Sequence, residues 1–140
     1  MTRELKKEIW SYFKDTNIVY LATSANNKPA VRPVTLIFHQ DRFFIATGNK
    51  DAKIKQIKIN NNIEFCLSIS DGKNGGYIRG FGQAIFNEDI PTKKEIMDVF
   101  EYIKHFWKEP DDPGYILLEI KLAEIEYMKI GKMFARREKI

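Results

Sequence analysis

Between residues 32 and 53, five side chains are of types and at spacings that could hold one anion together. Arg32 is a fork-shaped cation on a β-rich run, Lys50 and Lys53 are point charges, and Thr47 and Asn49 are neutral donors. They gather around Thr47-Gly48-Asn49-Lys50-Asp51, a loop that opens a short helix with Ile54 and Ile57 on one face. The start of a helix presents unpaired N–H groups and the positive end of the dipole, so a phosphate finds hydrogen bonds there without a dedicated side chain. Arg32 completes a clamp if its strand runs beside the one ending at Thr47, because a guanidinium meets phosphate through two parallel bonds. Taken alone, a charged loop before a helix is more often a solvated cap, with Asp51 as the N-cap and the lysines in water. Arg32 shifts that balance. It shares a strand face with Val34, Leu36 and Phe38, and a charge in apolar company needs a partner or a ligand to offset its desolvation.

The elements that must position these groups follow from periodicity. Thr2 to Asp15 reads as a capped helix with an apolar stripe of Leu5, Ile9, Tyr12 and Phe13. Ile18 to Thr23 is a strand, Ala25 to Lys28 a turn, and the Arg32 strand then turns at Gln40-Asp41 into Arg42 to Ala46. Ile63 to Ser70 is the next strand, and Asp71 to Gly76 a glycine-rich turn. Tyr77 to Asn87 carries Gly80 and Gly82, which mark a barrel corner or a close approach of backbone. Thr92-x-x-Glu95 reads as a capping box on a helix that runs to Trp107. Tyr115 to Leu122 and Ile125 to Ile130 read as two last strands, with an exposed tail from Gly131. Six or seven short strands with inserted helices fit a Greek-key or split barrel better than a parallel α/β sheet.

Arg32-Pro33-Val34, the hairpin, the run from Ala46 to Lys53 and then Ile57 ahead of a buried strand resemble the FMN-binding split-barrel family, the pyridoxamine 5'-phosphate oxidase-like proteins. The likeness covers most of the chain in element order and is most specific from residue 32 to residue 57. It implies a mainly β fold with peripheral helices (α+β), a split β-barrel or Greek-key FMN-binding barrel forming one domain over residues 1–140. It implies FMN lying along Arg32, Pro33, Val34 and Thr35, with its phosphate held by Arg32, Thr47, Lys50 and Lys53 and with Gly48 and Asn49 as further cofactor-binding residues of the loop. It also implies a homodimer with the flavin in a groove between subunits, where Phe134 or Trp107 of a partner covers the ring. Related sequences often have Ser or Thr where this chain has Asp51. An aspartate aimed at phosphate repels it, so Asp51 is expected to cap the helix and face away.

The activity so implied is flavin-dependent oxidoreduction of a small molecule. No residue stands out as a catalytic acid, base or nucleophile, and a flavin needs none for hydride transfer. The tail FARREKI matches poorly the Arg-rich substrate signature of true pyridoxamine phosphate oxidases, so pyridoxal phosphate synthesis is not expected. The alternatives are a flavin carrier or sensor without turnover, a barrel using deazaflavin or haem, and a basic barrel that binds single-stranded nucleic acid. The last is disfavoured because the net charge of +4 is spread along the chain and aromatic residues do not interleave with it. In 140 residues, 44% apolar, there is no run long enough to span a membrane and no apolar segment after the charged N-terminus, so a cytoplasmic protein is expected. Cys66 reads as a small hydrophobe in a buried strand, and His39 and His105 stand too far apart for a metal site.

Overall fold

Two tight turns make the first half of the chain a meander. Asn26 and Asn27 lie at φ 53° and 61°, and Gln40 and Asp41 at 51° and 59°. Two left-handed central residues in a two-residue loop match the twist of the strands they join. The computed structural model describes residues 1–140. Its strands are β1 (Thr16–Ala25), β2 (Lys28–His39), β3 (Arg42–Gly48), β4 (Asn62–Ser70), β5 (Gly75–Phe86), β6 (Tyr115–Met128) and β7 (Arg136–Lys139). They form one antiparallel sheet in the order β3-β2-β1-β4-β5-β6-β7, and β3 also pairs with β6. That last pairing closes six strands into a barrel and leaves β7 on the outside.

The barrel is split between β2 and β3. β2 pairs with β1 from Lys28 to Ile37 but with β3 only through Ile37, Phe38 and His39. From Ile45 to Gly48, β3 follows β6 instead. Residues 29–36 of β2 therefore have no strand on their second edge, and the lips of the gap are Arg32 to Leu36 on one side and Ala46 to Gly48 on the other.

Alternation along each strand fills the inside. Val19, Leu21, Leu36, Phe43, Ile45, Phe65, Ile78, Leu118 and Ile125 belong to one buried cluster, joined by Ile9 and Phe13 from the N-terminal segment and by Ile54 and Ile57 of α2 (Ala52–Ile59). A second cluster lies on the outer wall, where Ile37, Phe44, Tyr115 and Leu117 meet Ile96, Met97, Phe100 and Ile103.

Several elements differ from the sequence expectation. The first helix, α1 (Arg3–Trp10), is capped by Thr2 as expected but stops short of Asp15. The Ser11 hydroxyl donates back to the Glu8 carbonyl, and the Asn17 side chain takes both the N–H and the C=O of Lys14, so the chain turns and drops Phe13 into the core. The later helix, α3 (Ile90–Val99), is capped by Asp89 rather than Thr92, whose own N–H and hydroxyl both donate to the Asp89 carboxylate. It breaks at Phe100 (φ −107°, ψ 79°), and a 3-10 turn (Glu101–His105) takes over. Gly75 and Gly76 belong to β5 and not to the turn. The two final strands are one strand, β6. Phe81 faces Glu124 and Gly82 faces Leu122, so Ala123 is the extra residue of a β-bulge. The tail is not free either, since Arg136 to Lys139 pair with Glu124 to Tyr127 as β7. Cys66 is half-buried on the outer face of β4, opposite Tyr20, and burial pushes its thiol pKa up.

Candidate functional site

At one mouth of the barrel, polar side chains replace the apolar filling. Arg32 shares the inner face of β2 with Leu36, and Thr23 ends the inner row of β1 that begins with Val19 and Leu21. Thr47 is buried at the end of the inner row of β3, after Phe43 and Ile45. Helix α2 lies across this mouth, held by Ile54 and Ile57, which are 2% and 1% exposed. That seating carries Lys53 and Gln56 of the same helix to the barrel end.

The groups are wired together. Arg32 Nη2 donates to Gln56 Oε1 at 2.6 Å, and Arg32 Nη1 donates to the Leu21 carbonyl at 3.2 Å. The Thr23 hydroxyl donates to the same Gln56 oxygen at 2.6 Å. Lys53 is buried, its side chain only 7% exposed, and its Nζ lies 3.0 Å from Asp51 Oδ1. Lysine is rarely that buried without a partner. The same Asp51 oxygen accepts the Lys53 backbone N–H at 3.1 Å and so caps α2. Burial lowers the pKa of Arg32, and the charge of Asp51 opposes that shift. Burial also raises that of Asp51, yet bonds to Lys53 and the fields of Lys53 and Arg32 hold it below the ordinary aspartate value. Because Arg32 bonds Gln56 at 2.6 Å and Lys53 lies one helical turn earlier on the same α2, Arg32 and Lys53 sit on the same side of the molecule.

Of the residues named from sequence, Arg32, Thr47 and Lys53 converge on this mouth. Asn49 and Lys50 are exposed in the loop that leads into α2, and the Asn49 N–H donates to the Gly114 carbonyl at 3.0 Å, which anchors that loop to the start of β6. Gly48 ends β3 beside Trp107; a β-carbon there would lie 3.7 Å from the indole. Trp107 itself stacks on Tyr115 of the same chain at 5.4 Å. Val34 is half-buried against the barrel core, Pro33 is exposed on the outer wall, and Thr35 lines a cavity of about 220 Å³ with Thr16, Asn17, Ile18 and Tyr102.

One expectation is overturned. Asp51 caps its helix and its side chain stays 45% exposed, but its carboxylate does not face away from the site, because the ammonium of buried Lys53 reaches it at 3.0 Å. Gln56 and Thr23 are part of the site and were not named from sequence. Gln56 lies three residues after Lys53, on the same helix face, and that spacing was the available signal.

A family model described as "Pyridoxamine 5'-phosphate oxidase" matches residues 5–129. General stress protein 26 of Bacillus subtilis (strain 168) is 23% identical over 131 residues, 93% of this chain and 92% of that protein. The crystal structure of General Stress Protein 26 from Bacillus anthracis str. Sterne superposes with a TM-score of 0.78 at 23% identity, over 98% of this chain and 99% of that one. A heme binding protein from Mycobacterium smegmatis has the same fold at a TM-score of 0.72 and 14% identity, over 89% of this chain and 53% of that one. These solved structures share the split barrel.

Proposed function

The chain belongs to the pyridoxamine 5'-phosphate oxidase family, and from that premise we propose that it binds FMN and acts as a flavin-dependent oxidoreductase on a small molecule. The observation that carries this reading is the meeting of Arg32 and Lys53 at one barrel mouth, beside the start of α2. Two poorly hydrated cations and a helix start suit the phosphate of a mononucleotide. Thr47, Gly48, Asn49 and Lys50 form the loop around that end. The unpaired edge of β2, from Arg32 through Pro33 and Val34 to Thr35, offers backbone donors and acceptors along the split for the flavin ring.

FMN would supply the two-electron chemistry, and the protein would supply placement and exclusion of water. The outer wall of β1 and β2 supports the homodimer that this reading needs. Ile18, Tyr20 and Val31 are 63%, 53% and 68% exposed there, an apolar patch beside the Thr35 cavity. A second copy covering this patch would close the groove over the ring.

Two measurements test the reading. The visible spectrum of the purified protein, before and after addition of FMN, separates a flavin from deazaflavin and from haem, the ligand named for the mycobacterial structure. Arg32→Ala and Lys53→Ala should each weaken FMN binding by about 1.5–3 kcal/mol, roughly 10- to 100-fold in Kd, since each removes a charge-assisted contact to phosphate. Unchanged FMN affinity in both variants removes the assignment. Reduction of the bound flavin by NAD(P)H, followed at its visible band, distinguishes an enzyme from a carrier or sensor.

A further inference from the structure

The mouth that holds Arg32 and Lys53 already contains an anion. Asp51 Oδ1 takes the backbone N–H of Lys53 at 3.1 Å and the Lys53 ammonium at 3.0 Å. A helix-start N–H and a buried ammonium are the two kinds of donor that a phosphate oxygen takes. Arg32 adds its field to the same carboxylate, while its own fork is turned toward Leu21 and Gln56. Asp51 therefore cancels one of the two positive charges and sits on the donors that a ligand phosphate would use.

We propose that Asp51 is an internal competitor for the phosphate of the ligand, a specificity residue that lowers the preference of this site for FMN over riboflavin. The inference rests on the flavin reading above and adds to it the residue that sets which flavin is held. A dianionic phosphate must either share its donors with the carboxylate, against like-charge repulsion in a partly dry site, or expel Asp51 and forfeit the cap of α2. Riboflavin ends in a hydroxyl and meets neither penalty. The effect is opposite in sign to that of Arg32 and Lys53: removing charge at position 51 tightens FMN binding.

Asp51→Asn isolates the charge, because asparagine caps a helix as well as aspartate and keeps an oxygen for Lys53. Dissociation constants for FMN and for riboflavin, from quenching of flavin fluorescence, are compared for the wild type, Asp51→Asn and Lys53→Ala. Thermal melting without ligand establishes that each variant is folded, and Asp51→Ser, which also caps, replaces the asparagine variant if that one fails. In Asp51→Asn the FMN constant falls by about tenfold or more while the riboflavin constant moves by less than about twofold, so the preference for FMN rises. An unchanged or reduced preference in Asp51→Asn, with FMN binding lost in Lys53→Ala, overturns the inference and leaves the flavin reading standing; Asp51 would then merely hold Lys53. If Lys53→Ala binds FMN as the wild type does, Lys53 is not a phosphate donor and this inference falls while flavin binding stands; if none of the proteins binds either flavin, the flavin reading falls and this inference falls with it.

Discussion

Glu119 of β6 shows how one buried carboxylate ties the outer wall together. Its side chain is 6% exposed, and it accepts a two-pronged contact from Arg42 at 3.0 and 2.7 Å. The Lys121 ammonium at 2.9 Å and the Asn87 amide at 3.2 Å complete its shell. The Arg42 bonds, opposed by burial and aided by Lys121 and Asn87, bring its pKa down from 4.5 to about 2. A carboxylate depressed in the folded state stabilises the fold above its unfolded pKa, and that stability drains away as pH falls through the folded value. Glu119→Gln should cost about 2–3 kcal/mol at neutral pH, after allowance for the partly exposed arginine. The gap between wild type and variant should shrink as pH drops from 4.5 toward 2. Urea unfolding across that range checks it, and a gap that stays constant with pH would show that the Glu119 charge is not the source.

Among the elements, β5 decides how the barrel curves. A methyl group at Gly82 would overlap the Lys121 carbonyl, and one at Gly80 would lie 2.5 Å from the Phe65 ring. Gly82 lies beside the register shift, where a side chain has no room because β6 is bulged toward it. Backbone cannot move aside as the end of a lysine can, so Gly82→Ala should destabilise by about 3 kcal/mol. Gly75 lies in the same strand with its nearest neighbour, the Ile69 carbonyl, at 3.7 Å. Gly75→Ala should therefore stay within about 1 kcal/mol of wild type. Denaturation midpoints of the pair measure the difference, and equal midpoints would remove steric crowding as the reason for glycine at position 82.

For the whole molecule, the apolar outer wall of β1 and β2 is the feature that a lone barrel does not explain. Tyr20 faces Pro33 and Ala22 faces Val31 across the two strands, so the exposed side chains form a continuous patch rather than scattered residues. In the homodimer proposed above this wall is the contact surface. Val31→Lys would put a charge into it without touching the barrel interior. The dimer Kd should rise at least ~10-fold, with unchanged circular dichroism and weaker flavin retention. Light scattering across a concentration series tests this, and a wild-type protein that stays monomeric at high concentration ends the dimer proposal.

Much of the fold is legible without coordinates because it is local. Alternating apolar residues mark the strands, Asn26-Asn27 and Gln40-Asp41 mark the hairpins, and Asp51 ahead of Ala52 marks a helix start. Each depends on neighbours a few residues apart, so a short window contains the whole cause. The lone arginine in β2 and the lysine after Asp51 were visible in the same way. What the tertiary structure alone decided depends on partners far along the chain. Closure of β3 on β6 and the bulge at Ala123 are long-range pairings. The same holds for Gln56 bridging Arg32 and Thr23, and for the ion pair that Asp51 makes with Lys53 once the seating of α2 has buried that lysine. A side chain points where the sum of its contacts is lowest in free energy, and at this mouth those contacts come from three strands and a helix.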